Sequence, residues 1–225
     1  MSIVERYSAY AEDNAKAALE LLLTSTDDPK AYSGAMESLG RILGGLLNER
    51  IPRAHQCLLA STAEDADFLT RGIYDLLREG HVTKAAIFWN NHYSVPGGSV
   101  APVVHKFLEP GYESTQVLVI AKSVISGSCV VRTNLLELIE NINPHKIYIV
   151  APVMHSRSQA TLCEEFPAEI SDKFEFLALA IDKEKNAIGE VVPGIGGEIY
   201  PLLGLEGQPA RKTYMPNLVR QLAAI

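Results

Sequence analysis

The chain has 225 residues, 47% of them hydrophobic and 21% charged, enough length and apolar content to bury a sizeable core, which excludes a disordered polymer. Its 27 acids against 20 bases give a formal net charge of −7, and no basic stripe runs along any segment, so nucleic acid is not an expected partner. No apolar run reaches the length of a membrane span, and the start MSIVERYSAY lacks signal-peptide character, so a cytoplasmic protein with no membrane contact is expected.

In chain order, the first fifty residues carry helical patterning. NAKAALELLLTS (14–25) and YSGAMESLGRILGGLLNERI (32–51) both repeat apolar residues at helical spacing, and Pro52 closes the section. HQCLLAS (55–61) reads as a short strand. AEDADFLTRGIYDLLREG (63–80) reads as a helix with acids in its first turn and Gly80 at its end. KAAIFW (84–89) is a second strand. The stretch 90–114, with three prolines and three glycines, is a loop with room for a hairpin or flap. A regular rhythm follows: VLVIA (117–121) strand, CVVRTNLLELIENI (129–142) helix, KIYIVAPVM (146–154) strand, SRSQATLCEEF (156–166) helix, FEFLALAID (174–182) strand. From Gly189 onward EVVPGIGGEIYPLLGLEGQ is rich in glycine and proline but too apolar for a linker.

Near-continuous apolar strands alternating with helices predict an α/β domain with a parallel sheet covered on both faces. The expected organisation is one domain over 1–225: a helical section 1–52, an α/β core 53–188 and a C-terminal segment 189–225. Ligands of such sheets sit at the carboxyl ends of the strands, where AKSVISGSCV, APVMHSRSQ and IDKEKN all begin. Ser126, Gly127, Ser128 and Cys129 fall where a buried strand turns into a helix. Glycine admits an anion to the backbone, while hydroxyls and the unpaired N–H groups of a helix start donate to it. An ordinary serine N-cap fits the same residues.

VLVIAKSVISGSCV resembles the ribose-phosphate loop of type I phosphoribosyltransferases. IDKEKNAIGEVVPGIGG resembles the end of a uracil phosphoribosyltransferase, where a Val-Pro-Gly-Leu-Gly-Asp loop follows an Ile-Asp at a strand end. SLGRILGGLLNERI and FLTRGIYDLLREGHVTKAAIFWNN are similar to that family's early helix and to its helix and strand before the flap, so the resemblance runs from about residue 33 onward. It implies a five-stranded parallel core, a C-terminal hood and a homodimer. It implies transfer of phosphoribosyl from phosphoribosyl pyrophosphate to uracil with magnesium. It also implies base binding at Val192, Pro193, Gly194, Ile195 and Gly196, largely through backbone groups.

The sequence departs from that family where the family carries charge. Glu64 stands where the resemblance puts a pyrophosphate-clamping arginine, and Asn90 where it puts the arginine after the second strand. Ala121 replaces the ribose-binding acid, with Lys122 beside it, while Gly197 and Tyr200 replace aspartates that would serve magnesium. Catalysis of this kind rests on charges set in advance, and losing one such group costs roughly a hundredfold in rate. The expectation is therefore a homologue with a degraded phosphoribosyl pyrophosphate site. It binds a pyrimidine base or nucleotide, turns over weakly or not at all, and acts as a regulatory or companion subunit with a protein partner. Magnesium enters only if the chain is active. An active transferase with rewired residues, and a structural partner with an empty pocket, are the alternatives.

The remaining candidates are weaker. Cys57, Cys129 and Cys163 are odd in number, far apart and without zinc-ligand spacing; they read as small buried hydrophobes, with a reactive Cys129 at a helix start as the sharper reading. His55, His81, His92, His105, His145 and His155 show no metal-ligand spacing. His155 is expected at the surface near the cleft, Lys122 solvated at its strand end, and Trp89 and Tyr93 packed beside the flap.

Overall fold

The computed structural model describes residues 6–91, 93–95, 98–205 and 214–224. His92 and residues 206–208 of the Gly/Pro-rich segment lie outside them. The N-terminal section is α1 (Asp13–Thr24) and α2 (Pro29–Arg50); α2 starts at Pro29, and Asp28 accepts from the N–H groups of Lys30 and Ala31. The α/β part follows as β1 (Gln56–Thr62), α3 (Arg71–Gly80), β2 (Val82–Asn90), a β3 (Tyr93–Val95) and β4 (Gly98–Val100) hairpin, β5 (Val103–Leu108), β6 (Val117–Ala121), β7 (Val124–Ile125), α4 (Cys129–Ile139), β8 (Lys146–His155), α5 (Ser158–Glu164), α6 (Ala168–Ser171) and β9 (Phe174–Asp182). The C-terminal part holds β10 (Glu184–Lys185), β11 (Val191–Val192), α7 (Ile199–Leu202) and α8 (Asn217–Ala223).

The sheet runs β5-β2-β1-β6-β8-β9, with β7 continuing beside β8 where β6 ends. Five long strands are parallel, as expected, and β5 adds an antiparallel edge. Alternation along each strand sorts side chains between two cores. Cys57, Leu59, Val117 and Val119 face α1, α2, α3 and the C-terminal helices, whereas Leu58, Ala60, Leu118 and Ile120 face α4 and α5. On the first face α2 and α3 touch backbone to backbone. A Cβ on Gly40 would meet the Leu69 carbonyl oxygen, and one on Gly72 the Glu37 carbonyl oxygen, so glycine sets that close approach. Among the described residues no helix is long and apolar enough to cross a membrane.

The stretch 63–80 is helical throughout but not one α-helix: a 3-10 turn (Ala63–Asp65) and a π segment (Ala66–Thr70) precede α3. The side chain of Asp67 is spent on the distant C-terminus. It accepts from Tyr214 Oη at 2.6 Å and from the N–H groups of Asn217 and Leu218, capping α8 from outside. Trp89 Nε1 donates to the Tyr214 carbonyl at 2.7 Å, which fixes the end of β2 to the same segment, while Tyr93 is half exposed.

Candidate functional site

Strand order reverses between β1 and β6, the switch point at which doubly wound sheets hold ligands. Here that crevice is filled from within. β6 leaves β8 at Val150 and β7 rejoins it at Val153, with Pro152, which has no N–H to offer, in the gap. The detour carries Lys122 and Ser123 towards the end of β1. Lys122 Nζ lies 2.7 Å from Asp65 Oδ2 and 3.2 Å from Glu64 Oε1, with only 13% of its side chain exposed and none of that of Asp65. Asp65 Oδ2 also accepts from Thr62 Oγ1 at 3.0 Å and from the Ser123 N–H at 3.3 Å, and Tyr200 Oη donates to Glu64 Oε2 at 3.3 Å.

Lys122 is therefore mostly buried and doubly paired rather than solvated. Burial opposes its charge, but Asp65 and Glu64 outweigh that and hold the ammonium above its ordinary range. Burial, then Glu64, pushes the Tyr200 phenol up as well. Glu64, Lys122 and Tyr200 thus form one cluster. Ala121 is buried beside it, and Asn90 lies elsewhere, its Nδ2 donating to the Ala101 carbonyl and to Asn134 Oδ1. Magnesium does not fit this donor set, because an ammonium already engages both carboxylates. Among the described residues no group of three or more His, Cys, Asp and Glu side chains is arranged to hold a metal.

The loop at 192–196 is also committed internally. Asp182, at the end of β9, is fully buried and receives Arg6 Nε at 2.9 Å and Nη2 at 2.7 Å. Arg6 Nη2 also donates to the Gly194 carbonyl at 2.8 Å, and the Gly194 N–H donates to Asp182 at 3.0 Å. Tyr32 Oη donates to the Ile195 carbonyl at 2.8 Å. Gly194 has φ +58°, and a Cβ there would meet the Val191 carbonyl oxygen, so the turn requires glycine. Ile195 is a core residue, Val192, Pro193 and Gly196 are exposed, and Gly197 is exposed beyond them. Sequence patterning missed Arg6 and Asp182 as partners, because 176 residues separate them.

A cavity of about 660 Å³ opens at the carboxyl ends of β7, β8 and β9, a size that suits a small ligand. Ser126, Gly127, Ser128 and Cys129 form one wall, Arg132 and Glu165 another, and His155, Arg157, Lys183 and Lys185 the far side. Ser128 is no side-chain cap: its hydroxyl donates to Glu165 Oε1 at 2.8 Å, the oxygen that Arg132 Nη1 reaches at 3.0 Å. A Cβ on Gly127 would meet open space, so nothing in the fold demands glycine there. Cys129 donates its thiol to the Ser99 carbonyl at 3.2 Å. Cys57 is buried, and burial pushes its thiol up to about 12, whereas Cys129 and Cys163 are half-buried.

His155 is buried rather than at the surface. Its Nε2 meets the Lys183 carbonyl at 3.2 Å and its Nδ1 accepts from the Arg157 N–H at 3.3 Å, the pattern of a neutral ring. Burial first, then Lys185 and Arg157, hold its pKa below the ordinary 6.5, with the Lys183 carbonyl and Asp182 opposing in part. Stability from this group is present above pH 6.5 and is lost as pH falls through the folded value. Ring-proton NMR is expected to place His155 below 6.5 in the free protein and to move it upward when phosphate is added, because a bound anion favours the imidazolium. An unmoved value in saturating phosphate would mean that no anion binds near it.

No protein-family model matches the sequence, and no curated protein matches it. Among solved structures the chain is similar to the AQ2163 protein from Aquifex aeolicus, at 13% identity and TM-score 0.71, over 88% of this chain and 98% of that one. It is also similar, at TM-score 0.41 in both cases, to a hypoxanthine phosphoribosyltransferase from Staphylococcus aureus (10% identity, 55% of this chain, 65% of that one) and to L. donovani hypoxanthine-guanine phosphoribosyl transferase (8% identity, 68% and 84%). The likeness is one of fold: the chain is an α/β protein with a mostly parallel sheet flanked by helices.

Proposed function

We propose that the chain is a phosphoribosyltransferase-like protein that holds a phosphorylated ligand, in the first instance a pyrimidine nucleoside monophosphate, and does not transfer phosphoribosyl groups. The observation that carries this reading is the buried Lys122–Glu64–Asp65 cluster at the switch point. Where the resemblance implies a cation at 64 and an acid at 121, the chain has Glu64, Ala121 and Lys122, and the reversed charges neutralise each other across the crevice. An oxocarbenium-like ribose and a departing pyrophosphate find neither the acid nor the cation they need. The phosphate end is better supported than the base end. Ser126–Gly127–Ser128 opens onto a basic cavity, while the polar backbone groups of Gly194 and Ile195 are already engaged. Binding without turnover suits a regulatory or companion subunit, with a homodimer as the proposed assembly.

The test is product formation from labelled uracil and phosphoribosyl pyrophosphate with magnesium at near-stoichiometric protein, beside calorimetric titration with uridine 5′-monophosphate. No uridine monophosphate should form, and the nucleotide should bind in a manner lost in Gly127→Trp. Saturable product formation abolished by the same substitution would replace this reading with an active transferase. Absence of both binding and product would leave the cavity a structural feature.

A further inference from the structure

The far wall of the cavity lies outside the Ser126–Ser128 loop and has its own logic. Register places Ile125 beside Met154 and Met154 beside Ile181, so the loop after β7 and the segment after β9 are two strand spacings apart, about 10 Å. Lys183 and Lys185 follow β9 at the far end and Arg157 follows β8 between the two, all three exposed. Among the described residues none of the three makes an ion pair. Nearby acids are occupied or outside the lining. Asp182 is bound to Arg6, Glu165 is held by Arg132 and Ser128, and Glu184 does not line the cavity.

Counting Arg132, the cavity carries four cationic side chains against one carboxylate, a formal surplus of three in a chain of net charge −7. Like charges gathered without counter-charges work against folding, and such gathering is typical of sites that receive the opposite sign. A phosphate monoester brings about −1.5 to −2 at pH 7. That leaves about 1 to 1.5 charges of the surplus unmet, and the backbone that carries Lys183 and Lys185 lies about two strand spacings from the Ser126–Ser128 loop.

We infer that the ligand of this cavity carries two phosphoryl groups: one rests on Ser126–Gly127–Ser128, and a second, joined to it directly or through a short spacer, is held by Arg157, Lys183 and Lys185. The inference builds on the reading that the loop holds a phosphate, and it changes the ligand class from a monophosphate to a diphosphate. The test is calorimetry on the full chain with four probes at one salt concentration: inorganic phosphate, inorganic pyrophosphate, uridine 5′-monophosphate and uridine 5′-diphosphate. Each is repeated with Lys183→Ala/Lys185→Ala, whose side chains have no ion-pair partner among the described residues, and circular dichroism verifies the fold.

Pyrophosphate and the diphosphate should bind at least roughly tenfold tighter than their single-phosphate counterparts, as one additional charge-assisted contact provides. The double variant should erase that gain while changing monophosphate binding less than about threefold. A diphosphate no tighter than the monophosphate, or a gain that survives the double variant, overturns the inference and leaves the monophosphate reading intact. Pyrophosphate binding that needs the lysines, without any binding of the uridine monophosphate, supports the inference and ends the pyrimidine reading. Binding of none of the four overturns both.

Discussion

Replacing Lys122 with methionine lowers the unfolding free energy by about 3–5 kcal/mol, the range for removing one partner of a buried ion pair. The substitution keeps the volume of the side chain but leaves Glu64 and the fully buried Asp65 side by side with no cation between them. Thr62 and Ser123 continue to donate to Asp65, which keeps the loss within that range. Urea unfolding at pH 7 measures the effect, and lowering the pH should narrow it as protons replace the missing charge. In the unchanged protein the sign is opposite. The raised pKa of Lys122 means that its contribution is complete below 10.5 and is lost only as pH climbs through the folded value. The triple variant Glu64→Gln/Asp65→Asn/Lys122→Met removes the charges together and should recover most of the loss. A single variant as stable as the parent would mean that the cluster is solvated in solution, and the argument that it fills the crevice would fail.

Arg6→Ala should cost a similar amount, about 3–5 kcal/mol, for a related reason. Asp182 has no exposed surface, and Arg6 supplies two of the hydrogen bonds to its carboxylate. Without Arg6 the remaining donor to the Asp182 carboxylate among the described residues is the Gly194 N–H, and the Gly194 carbonyl loses the Arg6 hydrogen bond as well. The effect should therefore be local as well as global. Hydrogen exchange at the Gly194 amide should accelerate well beyond what the global loss explains, while the amides of β1 and β6 should follow global stability alone. Uniform acceleration across the sheet would show that Arg6 supports the whole fold and has no special hold on the 192–196 loop.

Much of the architecture was legible because it rests on short-range pattern. The strands 117–121 and 174–182 coincide with VLVIA and FEFLALAID: VLVIA is buried at every position and apolar throughout, and the apolar run of β9 covers its buried centre, with Glu175 near its partly buried start and Asp182 at its end. The parallel α/β class follows from strands alternating with helices, and the β3–β4 hairpin lies within the stretch whose prolines and glycines mark a flap. The loop Ser126–Gly127–Ser128 was also readable, because a strand end, a glycine and hydroxyls before a helix are local features. The helical character of 63–80 was readable too, though not its tight and wide turns: Gly72 must meet α2, and Asp67 must reach α8.

What each charge does was decided only by the tertiary structure. Lys122 at a strand end reads as solvated until the detour of β6 around Pro152 brings it between two carboxylates from the end of β1, 57 residues earlier. His155 reads as a surface residue until β9 runs beside it and Lys183 closes over its ring. Arg6 and Asp182 have no pattern in common, and the basic wall draws Arg157, Lys183 and Lys185 from two connections that only the sheet order makes neighbours. Periodicity records which face of an element is buried, because burial acts on every residue of that face. Ion pairing depends on where a few atoms meet across the fold, and chain order carries no trace of that distance.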